Sequence, residues 1–310
     1  MNEWKSSNVW LRLRLGDLTL ASFRLPMQVR QERLGSNPDP SSALRQDASQ
    51  IPAGSQGLLI RGLPINASLP TLSKQGELLC YAPLQYQHCH VDLGLGWDAY
   101  TQRFSSKTRS TIQRKVRKFT EHGGGALEWK VYTRPTEMAE FLQHARQVSK
   151  QTYQERLLDV GIPGSEEFTR EVQRLAEADR VRAFVLFDRQ RPVSYLYCPA
   201  EQDALIYAYL GYEPSYASLS AGTVLQWLAL EYLMNEARFK YFDFTEGQSE
   251  HKRLFATHQR QCANVYFLRD SLRNRLVVHA HKATNTCSAA LGRALQRAGL
   301  KAKLKRWIRR

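Results

Sequence analysis

Three apolar runs, 181–188, 192–200 and 204–211, follow one another with almost no chain between them. This succession constrains the fold more than any other part of the sequence. A crossover between parallel strands needs a dozen or more residues, whereas the joints at 188–191 and 201–203 suit tight turns. The three runs are therefore expected to pair as an antiparallel meander. Around them the spacing of apolar residues turns helical. Ile112, Val116 and Phe119 recur along 105–122, a segment that Ser105 or Ser106 can cap and Gly123-Gly124-Gly125 stops. A strand at 127–132, a helix opened by Pro135 and running to about Arg156, and a helix over about 165–178 precede the meander. A helix at 221–237, a strand at 241–244, a short helix at 249–255 and a strand at 264–269 follow it. The chain then reads as helical from Ser271 to its end, with a break near Gly299.

Upstream, 9–14 and 18–23 read as two strands about the turn Gly16-Asp17. Residues 31–56, rich in Pro, Ser and Gly, read as a loop or mobile linker. One strand is expected at 57–62 and one or two within 78–93. The fold class is α/β in the broad, mixed α+β sense. It divides into a strand-rich N-terminal subdomain (1–104), a central domain (105–270) and a basic helical C-terminal segment (271–310).

The formal net charge of +15 is concentrated. One block is Lys107, Arg109, Arg114, Lys115, Arg117 and Lys118. The other is Arg293, Arg297, Lys301, Lys303, Lys305, Arg306, Arg309 and Arg310. Neither holds a compensating acid, so both favour anionic partners such as phosphates, nucleic acid or acidic lipid. From Ala298 onward, Leu300, Leu304, Trp307 and Ile308 share one helical face among cations, the composition of an interfacial helix. No apolar run approaches the roughly 20 residues needed to cross a bilayer, and Met1–Lys5 lacks the apolar core of a secretory signal. A cytoplasmic protein is expected, with peripheral contact to the inner face of an anionic membrane through the C-terminal segment. The five cysteines are an odd, widely spaced set without a CxxC pair, which reads as buried free thiols. His88-Cys89-His90 has no nearby partners that would complete a zinc site, so no metal is expected.

The sequence lacks GxSxG, HExxH, GxxxxGK[ST] and GxGxxG. A different constellation lies after the meander. Tyr209-Leu210-Gly211-Tyr212-Glu213-Pro214-Ser215-Tyr216 ends a strand, and Leu219-Ser220-Ala221-Gly222-Thr223-Val224-Leu225 opens a helix. Phe242-Asp243-Phe244-Thr245-Glu246-Gly247 follows, then His251-Lys252 and Phe255. From about Ser105 to Arg269, this order resembles the CelD-like acetyltransferase branch of the GNAT superfamily, related to the FemAB peptidyltransferases. Those families carry a similar glycine-tyrosine segment, a small-residue helix start, a D-F-x-x-G turn and a following lysine. The resemblance implies a GNAT acyltransferase fold. The first hundred residues would form a smaller sheet subdomain or a degenerate second GNAT-like unit.

It also implies N-acyl transfer from an acyl-CoA, acetyl-CoA foremost, to an amine. The acceptor would be an amino sugar or its nucleotide or lipid-linked form, in envelope or exopolysaccharide biosynthesis. The donor pyrophosphate would rest on the helix start Ser220, Ala221, Gly222 and Thr223, where backbone N–H groups and the positive dipole end converge. Many GNAT enzymes carry an arginine- or glutamine-led glycine loop there instead. The thioester would lie between the fourth and fifth strands beside Tyr209 and Gly211, its carbonyl polarised by a main-chain amide near Tyr209 or Leu210. Asp243, Glu246 and His251 are the candidate bases and Tyr212 or Tyr216 the candidate proton donors to the departing thiolate. Tyr216, Lys252, Arg109 and Arg114 are the candidate substrate-binding residues. Two other functions fit the same residues. One is a FemAB-like transferase using aminoacyl-tRNA; the other is a non-catalytic GNAT-fold module holding membrane or nucleic acid.

Overall fold

The computed structural model describes residues 3–16, 18–35, 39–151, 161–247 and 249–297, the last three as backbone only. The chain opens with β1 (Lys5–Leu15), β2 (Leu18–Gln31), α1 (Pro40–Ala43), β3 (Gly57–Pro64), β4 (Leu72–Gln75) and β5 (Leu78–Asp92). Next come α2 (Trp97–Gln102), α3 (Ser106–His122), β6 (Glu128–Tyr132), α4 (Met138–Ser149) and α5 (Glu166–Glu177). The meander follows as β7 (Val181–Asp188), β8 (Arg191–Glu201), β9 (Ala204–Ile206) and β10 (Tyr209–Tyr212). The remainder is α6 (Ala221–Glu236), β11 (Tyr241–Asp243), α7 (Glu250–Phe255), β12 (His258–Arg269) and α8 (Leu272–Arg297). This is the mixed α/β architecture that the pattern of runs predicts. It forms two compact units, Met1–Gln87 with Arg260–Arg310, and His88–Gln259.

In the second unit the meander pairs antiparallel as expected, β7 on β8 and β8 on β9 and β10, with β6 antiparallel on the outer edge of β7. Phe184, Leu186, Leu196 and Cys198 enter one core with α6 residues. Val181, Ala183, Val185, Tyr195 and Tyr197 enter another with Phe141 and Leu142 of α4 and Val172 of α5. Burial on both faces is why these strands read as nearly continuous apolar runs rather than as alternating ones. Helix α6 is apolar almost all round and, apart from the half-buried Thr223, Glu231 and Tyr232, buried from Ala221 to Met234, as a helix enclosed by protein should be. Helix α3 is the opposite case. Ser105 caps it through Thr108 N–H, and Ile112 and Phe119 are its buried residues.

In the first unit β1 and β2 form a hairpin, β2 pairs parallel with β3, and β3 antiparallel with β12. Both hairpin strands run longer than the sequence suggests, because β2 continues past its turn partner to lie beside β3. Strand β4, paired with β5, and helix α2 have too short a pattern to stand out in the sequence. Residues 31–56 hold more structure than a plain connection. Asp39 caps α1, Asp47 caps a 3-10 turn, and Ala43 and Ile51 are buried. The helical reading up to Arg156 and the amphipathic segment from Ala298 extend outside the described residues. No described helix is long and apolar enough to cross a membrane. Cys89, Cys198 and Cys262 are buried, Cys80 is partly so and Cys287 is exposed.

Candidate active site

The run expected as one strand at 204–211 is broken in two, and the break makes the site. Its first part, β9, pairs in parallel with β11, with Ala204, Leu205 and Ile206 opposite Tyr241, Phe242 and Asp243. Tyr207 N–H still reaches Asp243 C=O at 2.8 Å, but Ala208 N–H turns to Tyr197 C=O at 3.2 Å. From Tyr209 the chain continues as β10, paired with β8, with Tyr209 opposite Tyr197. Strand β8 lies antiparallel to both parts, opposite Leu205 at Ala200 and opposite Tyr209 at Tyr197, so the register slips by one residue in a bulge, the device that re-aims a strand, and contact with β11 ends there. Beyond Asp243 the other wall keeps its register on β5 for one more residue, with Phe244 N–H donating to Cys89 C=O at 3.1 Å, and then turns away at Thr245. Two strands that begin as neighbours therefore part at Asp243.

The ladder tells which amides face the opening. Glu213 N–H donates to Val193 C=O, which continues the register pairing Gly211 with Tyr195 and Tyr209 with Tyr197. Alternation in an antiparallel pair then turns the N–H groups of Leu210 and Tyr212 away from β8. Gly211 is required on the other face, because a Cβ there would lie 2.4 Å from the Tyr195 ring.

Asp243 is buried. His88 Nε2 donates to its Oδ1 at 2.5 Å and Thr245 N–H donates to the same oxygen at 2.6 Å. With the carboxylate oxygen as the acceptor of this pair, the His88 proton lies on Nε2. Thr245 holds φ +60° and Gly247 φ +94°, which turns the chain back into α7. There Ser249 caps the helix through Lys252 N–H, and Lys252 Nζ donates to Glu246 C=O at 2.7 Å. Burial pulls the Lys252 ammonium below the ordinary lysine range, opposed by Cys89, Asp243 and Glu246, so both carboxylates lie within electrostatic reach of it. Burial, together with the cations Lys115 and Lys252, also lowers the His251 imidazole. Its Nε2 is buried without a hydrogen-bond partner among the described residues. The Cys89 thiol is pushed up by burial, against Lys252 and Arg253.

Of the residues singled out in the sequence, Asp243, Glu246, His251 and Lys252 are brought together by β11 and α7. Tyr209, Gly211 and Tyr212 lie on β10. Ser220, Ala221, Gly222 and Thr223 start α6, but Ser220 caps with its backbone. It is left-handed, its side chain makes no capping bond, and its C=O accepts from Thr223 and Val224 N–H at 2.8 and 3.0 Å. A Cβ on Gly222 would meet Tyr212 Cδ1 at 3.3 Å and Leu210 Cδ2 at 3.4 Å. The small residue thus admits β10 side chains. Lys118 Nζ donates to Ser218 C=O at 3.2 Å, beside this turn.

Tyr216 is engaged elsewhere. Its hydroxyl donates to Asp188 Oδ2 at 2.7 Å, and burial and Asp188 push its pKa up to about 12. On α3 Arg114 is exposed and Arg109 half-buried, and it is Lys115 whose charge reaches His251. Sequence reasoning missed Lys115 in this role, and it missed His88. Strand β5 lies beside β11, with His90 opposite Asp243, so His88 reaches a residue 155 positions away. The only trace in the sequence is the two-residue spacing of His88 and His90. His90 stacks on His258, ring centroids 5.2 Å apart. No group of three or more metal-ligating side chains occurs among the described residues.

Residues 106–253 match the family described as Acetyltransferase (GNAT) domain. No curated protein matches the chain. Three solved structures share its fold at low identity. The C-terminal DUF2156 domain described as a lysylphosphatidylglycerol synthetase, from Agrobacterium fabrum, is 10% identical with a TM-score of 0.51, over 85% of this chain and 84% of that one. FemX is 11% identical with a TM-score of 0.51, over 89% and 90%. A conserved protein of unknown function from Bacteroides thetaiotaomicron is 13% identical with a TM-score of 0.50, over 78% and 79%. The parting of β10 from β11, the helix that follows it and the match over the same residues converge on one description: the chain carries a GNAT acetyltransferase-like domain.

Proposed function

We propose that the protein is an N-acyltransferase that moves an acyl group from an acyl-CoA thioester to an amine. The observation that carries this reading is the opening between β10 and β11, with the Leu210 amide directed away from β8 and Asp243 at its mouth. When bound, the thioester supplies an activated acyl carbon and a thiolate leaving group. The Leu210 N–H is the donor for the acyl oxygen, an interaction whose loss typically costs about 3–4 kcal/mol of barrier. The N–H groups of Ala221 and Gly222 have no intrahelical acceptor, and with Lys118 they fit a pyrophosphate. The space beside Gly222 does not, because Leu210 and Tyr212 occupy it.

Asp243 is the acceptor-facing carboxylate. With Oδ1 held by His88 and Thr245, Oδ2 is left to take the N–H of the incoming amine. Asp243 thus orients and receives the amine while His88 positions Asp243. Tyr212, packed at the head of α6, is the candidate to return a proton to the leaving sulfur. Lys252 and Lys115 favour an acceptor that carries phosphate or carboxylate, such as a nucleotide-linked or lipid-linked amino sugar of envelope or exopolysaccharide synthesis. The test is calorimetry with acetyl-CoA and with aminoacyl-tRNA, followed by thiol release from acetyl-CoA across a panel of amino sugars and their nucleotides. Binding of acetyl-CoA and acceptor-dependent thiol release are expected. Binding of charged tRNA alone would replace this donor, and binding of neither would leave a non-catalytic module.

A further inference from the structure

The hairpin of the first unit has a face that the fold does not use. Strand β1 pairs with β2 along its whole length, and alternate residues point to opposite sides. One side is core, where Val9, Leu11, Leu25 and Met27 pack with Val277 and Val278 of α8. The other side carries Trp10, Arg12 and Arg14 on β1. Opposite Trp10 and Arg12 the register sets Arg24 and Ser22. Between Leu13 and Arg14 the register slips so that Leu20 is the extra residue on β2. The tip is closed by the pair Leu15 and Leu18.

The apolar members of this face and tip are not covered. Trp10 is 52% exposed, Leu20 55%, Leu18 63% and Leu15 38%. A half-exposed tryptophan and three leucines within one hairpin are more than scattered surface apolar residues require. Arginines alone on an edge strand would be ordinary protection against strand pairing, but that leaves the tryptophan and leucines unexplained. Over residues 5–31 the sequence carries Lys5, Arg12, Arg14, Arg24 and Arg30 against the single acid Asp17. An aromatic ring and aliphatic tip bordered by an excess of cations match the boundary of an anionic bilayer. There the indole and leucines enter the headgroup and acyl boundary and the guanidiniums meet lipid phosphates.

We infer that the outer face and tip of the β1–β2 hairpin dock on an anionic lipid surface. Its residues belong neither to the candidate active site nor to the basic C-terminal segment, and it does not depend on the proposed reaction. The test uses the full chain with vesicles of phosphatidylcholine alone and of phosphatidylcholine mixed with phosphatidylglycerol, at physiological salt. The protein is expected to co-sediment with the mixed vesicles and not with the neutral ones. Trp10→Ser combined with Leu20→Ser abolishes co-sedimentation at an unchanged melting temperature. Arg12→Gln weakens it about fivefold, the share of one cation at a charged leaflet. Equal binding to both vesicle types, or none, overturns the inference. Undiminished binding of the hairpin variants also overturns it, since the affinity then resides elsewhere in the chain. A dimer that the Trp10 and Leu20 substitutions convert to monomer, without a vesicle effect, assigns the face to a second copy instead. Hairpin-dependent binding of a single-stranded RNA oligomer, with no vesicle binding, assigns it to nucleic acid.

Discussion

Two strands of the GNAT-like domain end on the same dipeptide, Phe187-Asp188 on β7 and Phe242-Asp243 on β11, and the two aspartates are equally buried at 9% exposure. Asp188 accepts from Tyr216 and faces His122 Nε2 at 3.5 Å. Its strand turns directly into β8 through Arg189 and Gln190, both left-handed. Asp243 accepts from His88 and Thr245, and beside it β10, still paired with β8, no longer pairs with β11. Burial, residue type and a hydrogen-bonded ring are common to both. What differs is the neighbouring strand. At Asp188 the sheet closes on itself, and the carboxylate pins the end of α3 and the turn before α6. At Asp243 the sheet opens, and a carboxylate at an opening has somewhere to deliver its second oxygen.

The sharpest break of this comparison is to neutralise each aspartate in turn. Asp243→Asn is expected to lower turnover from acetyl-CoA by about a hundredfold or more, with donor affinity and melting temperature near those of the parent protein. Asp188→Asn should cost about 1–3 kcal/mol of stability and leave turnover per folded molecule unchanged. Equal effects of the two substitutions on turnover would mean that Asp243 too is only a structural staple.

Replacing His88 refines the Asp243 side. His88→Leu removes the donor and should cost about tenfold to a hundredfold in kcat with little change in KM for the donor. His88→Gln retains an N–H for Oδ1 and should recover most of that loss. Identical behaviour of the two variants would remove His88 from the positioning role. At the head of α6, Gly222→Glu should abolish donor binding by displacing Leu210 and Tyr212 and adding negative charge at the helix start. Gly222→Ala only crowds Tyr212 and Leu210 and should cost about 1 kcal/mol of stability. Donor affinity lost equally in both would make the glycine a packing residue alone.

The smallest effect is in the acid limb of stability. The folded state lowers the His251 imidazole from its ordinary 6.5, so the unfolded chain takes up that proton first. Its contribution is complete above about 6.5 and is lost as pH falls through the lower folded value. A urea titration across this window should show stability falling with pH, and His251→Gln should flatten part of the slope. His281, also lowered by burial, supplies a second part, so the slope should not vanish. An unchanged slope in His251→Gln would mean that the imidazole is not held neutral.

The local vocabulary of this protein is in its sequence. Joints of two or three residues dictate an antiparallel meander, Ser105 and Ser165 cap α3 and α5, and unbroken apolar runs announce strands buried on both faces. These features follow from contacts between residues near in sequence, or from the demand that apolar surface be covered, and both can be read without knowing the fold. The sequence also placed Asp243, Glu246, His251 and Lys252 together, because a strand, a turn and a short helix occupy only ten residues. The tertiary structure decided the rest. The break between β9 and β10 is invisible in Ala204–Gly211, whose composition suits one strand; it arises where the strand slips by one residue on β8 while β11 turns away. Tyr216 sits within the same motif as Tyr212, yet its hydroxyl is spent on Asp188, brought to it by the packing of β7 against the turn before α6. His88 reaches Asp243 because β5 and β11 are neighbours in a sheet. Sequence distance sets no limit on such a contact, and no local propensity encodes it.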